Sequence, residues 1–521
     1  MGNLLYNITV LKSFNILEGI SDISMRNLAR HFAGIIYKPL FHLLFPIFFV
    51  FHGFTVYYDS VPVGEVLWLT LQYIVIGILI SGILWLFYRD IIKASLATLF
   101  IMAFHFFFGN FLDFLKDHFP QSILRYRYMI PFIIFTFLML FIWLKKRKKS
   151  LFIFTFYLNI LLTILIIVDA GWLITKIPAA KEKKVFHPEA AGFTICDTCR
   201  KPDIFLIIPD QYSGYTALKD VFDFDNAGFE NELKDQGFYI AKKSISNYNF
   251  TPFSVASTLN MELLSLKKGP QNYRTVGYSY EVIRNSRVLK FLSSNGYRFY
   301  NCSIFDFDDQ PAHKYSAFLP YGIKLVTAQT LTTRLKDDFR QDILDGKFGL
   351  KKLQNKIAYD NLNFNDEIID ITTKIAAEKI NKPKFVYTHL MMPHYPYYFD
   401  SKGNPLPIEK LGGLNRVNGN DYIEYLQYGN KRLLELIDNI LTSSASPPLI
   451  IVLSDHGFRH PEKKADPAYD FINLNAVYFP GGNYSRFYDG ISNVNQFRLI
   501  FNQYFGQQLP MLKDSTTSLR D

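Results

Sequence analysis

The stretch Pro448-Leu-Ile-Ile-Val-Leu-Ser-Asp-His-Gly457 is the most informative part of this chain. Its continuous Leu/Ile/Val run is typical of a strand that is covered on both faces, as in a parallel sheet. In open α/β sheets, ligands bind beyond the carboxyl ends of the strands. The run therefore predicts that Asp455 and His456 lie at the edge of such a sheet. A plain strand that ends in a turn, with His456 on the surface, explains this stretch equally well by itself.

Two further apolar runs end in residues that can bind a metal ion or a substrate. Lys201-Pro-Asp-Ile-Phe-Leu-Ile-Ile-Pro-Asp-Gln-Tyr212 is predicted to be a second buried strand, which ends at Asp210. Phe385–His389 is a third, and His394 follows it closely. A single histidine is more often structural than functional, but two at the end of one strand favour a site. Helical and strand-like segments alternate between these runs, which predicts an α/β fold.

Thr251 and Pro252 have the form of a helix start, with threonine at the N-cap and proline at the first helical position. Capping is therefore one interpretation of Thr251. The other is a nucleophile, because the positive field at a helix N-terminus stabilises an oxyanion or a bound phosphate. The two roles are compatible, so the sequence leaves both open.

Five apolar segments crowd the first third of the chain. Each approaches the ~20 residues that cross the hydrocarbon core of a bilayer. A buried helix of a soluble protein could imitate one such segment, but five in succession predict a membrane domain. The segments are Leu40–Tyr57, Val66–Tyr88, Ile91–Leu112, Tyr128–Leu144 and Leu151–Thr175.

Basic residues in the connections predict the orientation of these segments. The chain has 56 Lys and Arg against 46 Asp and Glu, a net charge of +10, and its densest basic cluster is Lys145–Lys149. This cluster lies between two apolar segments, so a membrane surface explains it better than nucleic acid does. Basic residues before the first segment and around the second connection predict the same cytoplasmic side. An odd number of spans then places everything after about residue 176 outside the cytoplasm.

The expected domain organisation follows from these boundaries. Residues 1–38 form a cytoplasmic lead-in, 39–175 a transmembrane domain with five spans, 176–201 a linker, and 202–521 an extracytoplasmic catalytic domain. No cleavable signal peptide is evident, because the lead-in lacks a compact apolar core followed by a small-residue cleavage site. The first span could act as the targeting signal itself.

The three cysteines, Cys196, Cys199 and Cys302, all lie in the predicted external part. A zinc site is disfavoured, because Cys196-Asp-Thr-Cys199 lacks a second ligand pair at a suitable spacing. Disulfides persist outside the cytoplasm. One disulfide is therefore expected, either within the close pair or between one of its members and Cys302, and the sequence leaves these pairings open.

The candidate residues also carry a family resemblance. In their chain order, they resemble the alkaline phosphatase and sulfatase superfamily, and Ser454-Asp-His-Gly457 is the most specific element. With five preceding spans, the architecture resembles the membrane-bound phosphoglycerol and phosphoethanolamine transferases, which include the lipoteichoic acid synthases. The catalytic resemblance covers about residues 200–510. It implies an alkaline phosphatase-like domain, with a mostly parallel sheet sandwiched by helices, outside the bacterial inner (cell) membrane on its periplasmic or extracellular side.

The resemblance further implies a role for each matched residue. One divalent ion, Zn²⁺ or Mn²⁺, would be bound by four residues, of which the last is the nucleophile: Asp210, Asp455, His456 and Thr251. Two histidines would contact the substrate or help to bind a second metal, and a third is a weaker candidate for substrate binding: His389, His394 and His460.

Two departures from the family pattern bear on the reaction. The family's transferases usually carry glutamate where this chain has Asp210, whereas aspartate is common in the hydrolytic branches. Sulfatases that use formylglycine have Cys or Ser followed by x-Pro-x-Arg, whereas this chain has Thr251-Pro-Phe-Ser-Val255. The formylglycine mechanism is therefore not expected.

The predicted function is the transfer of a phosphoryl-linked headgroup, phosphoethanolamine or phosphoglycerol, from a membrane phospholipid to a surface glycan or glycolipid. Thr251 would carry the phosphothreonine intermediate. One alternative is a sulfatase-like phosphodiesterase or phosphatase that uses water as the acceptor. Another is a non-catalytic, membrane-anchored module that binds a partner or a glycan. No nucleic-acid partner is expected, and the oligomeric state is left open.

Overall fold

The computed structural model describes the chain in several ranges: residues 38–58, 61–120, 124, 126–184, 193, 199–266, 273–307, 310–313, 322–411, 418–459 and 466–519. The chain divides into two compact units, here called unit 1 (Met1–Pro178 and Pro320–Lys336) and unit 2 (Ala179–Leu319 and Asp337–Asp521). The predicted lead-in up to residue 37, most of the predicted linker, Cys196 and His460 lie outside the described ranges. The predicted domain boundaries stay a prediction.

Unit 1 is helical. Apolar side chains can cover these helices on all sides, because the backbone polar groups of a helix satisfy one another and leave only side chains facing lipid. Its first five helices are α1 (Phe41–Val56), α2 (Val63–Tyr88), α3 (Ile91–His118), α4 (Tyr126–Lys146) and α5 (Phe152–Lys184).

Four helices of the described ranges, α2 to α5, are long and apolar enough to cross a membrane. The first predicted span instead forms α1, which has 16 residues. A helix of that length covers about 24 Å, against ~30 Å for the hydrocarbon core of a bilayer. Four of the five expected spans are therefore present at full length, and the structure supports a membrane protein.

A later segment of the chain, residues 322–336, also belongs to unit 1. It contains α11 (Lys324–Thr327) and the start of α12 (Leu331–Leu344). The backbone N–H of Gly109 in α3 donates to the carbonyl of Gln329 at 2.8 Å. A Cβ at position 109 would lie 2.9 Å from that carbonyl oxygen, so the close approach requires glycine. Arg334 forms an ion pair with Asp113, near the end of α3.

Unit 2 contains all six strands of the described chain: β1 (Ile204–Pro209), β2 (Tyr239–Ile240), β3 (Arg298–Cys302), β4 (Lys384–Leu390), β5 (Leu449–Leu453) and β6 (Asn475–Tyr478). Its helices before β4 are α6 (Tyr215–Phe222), α7 (Ala227–Asp235), α8 (Thr251–Asn260), α9 (Tyr273–Arg284), α10 (Arg287–Ser294), α13 (Lys351–Ala358) and α14 (Phe364–Ala377). After β4 come α15 (Ile408–Leu411), α16 (Gly419–Ser443) and α17 (Asn493–Tyr504).

The six strands form one sheet in the order β2-β6-β5-β1-β4-β3. β1 lies at the centre and pairs in parallel with both β5 and β4, and β4 pairs in parallel with β3. Every residue of β1, β4 and β5 is buried. Helices therefore cover both faces of the sheet, as the continuous apolar runs predict.

The sheet is mixed rather than parallel throughout. β6 pairs antiparallel with both β5 and β2. A parallel neighbour needs a crossover connection, usually a helix, whereas antiparallel neighbours do not. The described part of the β5–β6 connection holds only a short 3-10 turn, Pro467–Asp470. This edge of the sheet is therefore antiparallel, which the predicted mostly parallel sheet did not include.

Candidate metal centre

Three adjacent strands of unit 2 bring candidate residues to one edge of the sheet. Asp210 directly follows β1, His389 is the penultimate residue of β4, and Asp455 and His456 follow β5. Ile208 of β1 pairs with His389, and the N–H of Asp210 donates to the carbonyl of Leu390 at 2.9 Å. All four side chains are at most 1% exposed. The carboxyl ends of the three parallel strands thus enclose a polar cluster in the interior of the unit.

Thr251 joins this cluster from helix α8. The residue before the helix is Phe250, and Thr251 itself is the first helical residue, with Pro252 behind it. Its hydroxyl Oγ1 lies 3.5 Å from Asp210 Oδ2 and 3.3 Å from His456 Nε2. The capping interpretation of Thr251 is therefore wrong, because Phe250 occupies the N-cap and the hydroxyl faces the acidic cluster.

Asp210, Asp455 and His456 form a group that could hold a metal ion. One ligand atom of each lies within 4.8 Å of the ligand atoms of the others. Oδ1 of Asp210 and Oδ2 of Asp455 are buried and have no hydrogen-bond partner among the described residues. Buried carboxylate oxygens without a donor are costly unless a cation neutralises them. The donor set of two carboxylates, an imidazole and a nearby hydroxyl fits Zn²⁺ or Mn²⁺.

A backbone carbonyl selects the free nitrogen of His456. Nδ1 lies 2.7 Å from the carbonyl oxygen of Gly457. That oxygen can only accept, so Nδ1 carries the hydrogen and Nε2 offers its lone pair. Nε2 lies 3.3 Å from Asp455 Oδ2, which makes a contact between two acceptors. A cation bound between Nε2 and Oδ2 would turn this repulsion into attraction. The Gly457 carbonyl would then fix the orientation of a ligand histidine, which is a common feature of metal sites.

The loop after β5 is held in place by backbone and amide contacts. The Ser454 hydroxyl donates to the carbonyl of His456 at 2.8 Å. Asn493 Nδ2 donates to the carbonyl of Ser454 at 3.0 Å, and Asn473 Nδ2 donates to the same oxygen. A Cβ at Gly457 would lie 2.5 Å from the carbonyl oxygen of Tyr469. Only glycine therefore allows the backbone at position 457 to approach the Tyr469 carbonyl this closely.

His389 connects Asp210 to a buried tyrosine. Its Nε2 lies 3.1 Å from Asp210 Oδ2, and its Nδ1 lies 2.9 Å from the hydroxyl of Tyr387. The carboxylate accepts from Nε2–H, so the Tyr387 hydroxyl donates to Nδ1. Oδ2 of Asp210 thus accepts from His389, while Oδ1 has no donor among the residues that the structure describes.

Two histidines lower the pKa of Asp210. Burial alone would raise the pKa of this carboxyl group, but the charge of His394 and the hydrogen bond from His389 hold the pKa below its usual value. His394 thus acts on the charge of the same carboxyl group as His389. Its Nδ1 donates to the carbonyl of Tyr395, which leaves Nε2 for a substrate or proton.

Several contributing residues are not evident from the sequence. Tyr387 looks like an ordinary core aromatic of β4. Gln211 has a positive φ of 62°, and its N–H donates to Asp455 Oδ1 at 2.9 Å. Asp470 is half-buried, and burial raises the pKa of its carboxyl group, whereas Asn249, Arg459 and His456 lower it. No sequence motif singles out these residues, although a cation shortly after Asp455 could have drawn attention to Arg459.

The cysteines are also placed in part. Cys199 is in a disulfide, whereas Cys302 is a free and buried thiol at the end of β3. A disulfide that includes Cys302 is therefore excluded among the predicted pairings.

Comparison with known proteins finds similarity only to solved structures. No family model matches the chain, and no curated protein matches its sequence. The C-terminal periplasmic domain of the phosphoethanolamine transferase EptC from Campylobacter jejuni is 14% identical, with 60% of this chain and 92% of that chain covered and a TM-score of 0.38. The corresponding Escherichia coli domain, in complex with Zn, is 12% identical, with coverage of 63% and 91% and a TM-score of 0.37. The PsFucS1 sulfatase from Pseudoalteromonas sp. is 14% identical, with coverage of 61% and 71% and a TM-score of 0.35.

These solved structures are phosphoethanolamine transferase periplasmic domains and sulfatases, and a protein of the alkaline phosphatase superfamily from Vibrio parahaemolyticus is similar as well.

Proposed function

We propose that this protein is a metal-dependent membrane enzyme that transfers a phosphoryl-linked group through Thr251. The observation that supports this function best is the position of the Thr251 hydroxyl, 3.5 Å from Asp210 Oδ2 and 3.3 Å from His456 Nε2. A hydroxyl that served only the fold would not need to lie beside a buried carboxylate whose other oxygen has no hydrogen-bond partner among the described residues. Nucleophilic catalysis needs this neighbourhood, because a threonine hydroxyl attacks only when its surroundings activate it.

A divalent ion held by Asp210, Asp455 and His456 would lower the pKa of a neighbouring hydroxyl and stabilise negative charge on a phosphoryl group. The protein's own groups would do the rest. The N-terminus of α8 favours negative charge at Thr251 and on a bound phosphate. His394, whose Nδ1 is held by the carbonyl of Tyr395, would protonate the leaving oxygen from Nε2. His389 would keep Asp210 in place through its Nε2–H.

The proposed donor is a phospholipid such as phosphatidylethanolamine or phosphatidylglycerol. Thr251 Oγ1 would lose its proton to solvent and bond to the phosphorus, while the bond from phosphorus to the diacylglycerol oxygen breaks and His394 protonates that oxygen. A hydroxyl of a surface glycan or glycolipid would then give its proton to His394 and bond to the phosphorus, and Thr251 Oγ1 would leave and regain a proton from solvent. The four apolar helices that can cross a membrane support a lipid donor, since they tether the chain to the surface where such headgroups lie.

Replacement of Thr251 tests this function. We expect Thr251→Ala to lower turnover of a headgroup-labelled phospholipid by at least about 10³-fold, because it removes the attacking oxygen. Thr251→Ser is the matched control, since it keeps the hydroxyl at the start of α8, and it should retain measurable turnover. Mass spectrometry of the wild type should detect a headgroup phosphate on Thr251. Wild-type turnover by the alanine variant would overturn the proposal.

Metal removal is the second arm of the same test. Purified protein should contain bound divalent metal, a chelator should abolish turnover, and Zn²⁺ or Mn²⁺ should restore it. Metal-free protein whose turnover is indifferent to chelation would contradict the proposed metal centre and would favour a non-catalytic binding module.

A hydrolase is the second candidate function, with water in place of the glycan hydroxyl. It is favoured by Asp210, because aspartate at this position resembles the hydrolytic branches of the family. The labelled phospholipid distinguishes the two reactions. Label on a glycan or glycolipid means transfer, whereas label found only in the free headgroup phosphate means hydrolysis.

A further inference from the structure

A basic cleft lies at one end of the helices of unit 1. The α2–α3 connection forms one wall and the α4–α5 connection forms the other. Its volume is about 740 Å³, enough for a polar headgroup. The lining residues are Asp90, Ile92, Lys93, Lys145, Lys146, Arg147, Lys148, Lys149, Ser150 and Leu151. The loop charges predict that this end faces the cytoplasm.

The cleft has six cations and a single carboxylate. That carboxylate, Asp90, is the N-cap of α3, and its Oδ1 accepts from the backbone N–H groups of Ile92 and Lys93. None of the six cations forms an ion pair with any residue that the structure describes. The positive charge of the cleft is therefore left for a ligand.

Lys93 holds the two walls together. Its Nζ donates to the carbonyl of Arg147 at 2.8 Å and to the carbonyl of Lys145 at 3.4 Å. Both acceptors are neutral backbone groups, so the contact fixes the shape of the cleft without neutralising Lys93. A basic run that served only to orient the chain in the membrane would need no such closure.

Arg147 supplies a donor inside the cleft. Its Nε is buried and has no hydrogen-bond partner in the described part of the chain. Its guanidinium carbon lies 5.0 Å from the ring centre of Trp143, which limits where the planar group can lie. A buried N–H without an acceptor is costly, and an anion in the cleft would satisfy it.

The surroundings of the cleft indicate the source of that anion. Lys145 Nζ lies 3.8 Å above the ring of Phe87. Phe87 and Trp143 are 49% and 51% exposed on the outside of apolar helices. Aromatic side chains at this level are typical of the boundary between headgroups and hydrocarbon. An occupant of the cleft therefore comes from the membrane rather than from a nucleic acid.

We infer that the cleft binds the phosphate-bearing headgroup of an anionic phospholipid. Phosphate oxygens match the donors of Arg147 and the surrounding ammonium groups, and basic pockets between membrane helices favour such lipids. This site is separate from Thr251 and the metal ligands, which belong to unit 2.

The test is lipid binding by the full-length protein in a non-ionic detergent, measured by native mass spectrometry. Phosphatidylglycerol is the anionic probe and phosphatidylcholine the zwitterionic reference. The wild type should bind phosphatidylglycerol at least about tenfold more tightly. The triple variant Lys146→Gln, Lys148→Gln, Lys149→Gln should lose this preference. A matched control, Lys351→Gln, Lys352→Gln, Lys356→Gln on α13, removes the same charge elsewhere and should keep it.

A second variant tests the shape of the cleft independently of its charge. Ser150→Trp keeps every cation but fills the space between the walls, so it should weaken phosphatidylglycerol binding as the triple variant does. Full binding by Ser150→Trp, or equal loss in the α13 control, would mean general charge attraction and would overturn the proposal. Complete displacement of the lipid by inorganic phosphate alone would identify a soluble anion as the ligand and would equally overturn it.

Discussion

Some side chains of the candidate metal centre are oriented by hydrogen bonds from residues that offer no ligand atom themselves. Tyr387 and His389 are two residues apart in β4, so they lie on the same face of the strand. The tyrosine hydroxyl fixes the hydrogen of His389 on Nε2, the atom that faces Asp210. Tyr387 is therefore a positioning residue, which acts on Asp210, a proposed metal ligand, through the imidazole of His389.

Tyr387→Phe should weaken metal binding while the fold persists. The change leaves His389 Nδ1 without a donor, and outer partners of this kind contribute about 10–100-fold in metal affinity or activity. Zn²⁺ titration of the purified protein measures the effect. Tyr425→Phe is the control, because it also removes a buried hydroxyl, which accepts from Asn365 at 3.1 Å. Equal Zn²⁺ affinity in wild type and Tyr387→Phe would show that Tyr387 is merely structural.

Whether the sequence predicts one of these residues depends on where the residue lies relative to an apolar run. Asp210 and Asp455 each stand directly after an apolar run, and a polar residue at the end of a buried strand is conspicuous. Tyr387 lies inside such a run, where an aromatic residue is indistinguishable from core packing. The sequence predicts a helix start at Thr251, and the structure shows that the Thr251 hydroxyl faces Asp210 instead of capping the helix.

At the level of elements, the loop after β5 depends on a glycine. A Cβ at Gly457 would lie 2.5 Å from Tyr469 O and 2.7 Å from Ile472 O. Both atoms belong to the backbone and cannot move away as a side chain would. The loop that carries Asp455 and His456 must therefore shift if position 457 gains a side chain.

Gly457→Ala should destabilise unit 2 by about 1–3 kcal/mol, the usual cost of overpacking, and should also weaken metal binding. Hydrogen exchange of the β5 amides reports the stability, and Zn²⁺ titration reports the metal site. Gly490→Ala should change neither quantity, because nothing lies within 4 Å of its Cβ position. Unchanged exchange in Gly457→Ala would contradict the close packing described here.

A buried lysine fixes the end of helix α14 against β4. Lys384 is 3% exposed, and its Nζ donates to the carbonyls of Ile375, Ala376 and Glu378 at 2.9, 3.0 and 2.9 Å. Asp203 Oδ2 completes the set at 3.2 Å. The lysine of β4 thus pairs with the carbonyls at the C-terminus of α14.

Lys384→Met should destabilise unit 2 by about 3–5 kcal/mol, because it removes the buried ammonium group that pairs with Asp203 and with three carbonyls at the end of α14. Faster hydrogen exchange across β1 and β4 would reveal this loss. Lys382→Met, at an exposed position of the same connection, should stay within about 0.5 kcal/mol of the wild type. A milder effect of Lys384→Met than of Lys382→Met would refute the role of the buried ammonium.

Strand positions follow well from the sequence, but strand direction does not. The predicted strand Phe385–His389 lies within β4. Strand β6, at residues 475–478, is antiparallel to both of its neighbours. Its antiparallel pairing depends on a connection without a crossover helix, and part of that connection is polar and irregular. Composition marks such a segment only as a loop, so the mixed sheet could not be predicted from it.

For the molecule as a whole, labelling of the cysteines tests which compartment unit 2 faces, and the reactivity of the buried Cys302 thiol comes first. Burial raises the pKa of the Cys302 thiol to about 11, so only about one thiol in 10³ is ionised at pH 8. The thiolate is the reactive form. Iodoacetamide should therefore leave the native protein unlabelled at pH 8, and labelling should accelerate as the pH rises towards the pKa.

In denaturant without reductant, we expect one labelled thiol per chain, since Cys199 is in a disulfide and Cys302 is free. With reductant, all three cysteines should react. Mass spectrometry counts the labels. Three labels without reductant, in protein isolated from cells, would argue that unit 2 faces the reducing cytoplasm.

The return of residues 322–336 to the membrane helices has a practical consequence. Leu325 and Val326 are 4% and 7% exposed within unit 1, although α11 follows β3 in the chain. A fragment that is cut after α5 to obtain a soluble enzyme would carry this segment without its helical partners. The apolar side chains of this segment would then be exposed to water and would promote self-association. Arg334 would also lose its ion pair with Asp113. A monodisperse fragment should therefore replace residues 322–336 with a short polar loop, rather than rely on removal of the N-terminal helices alone.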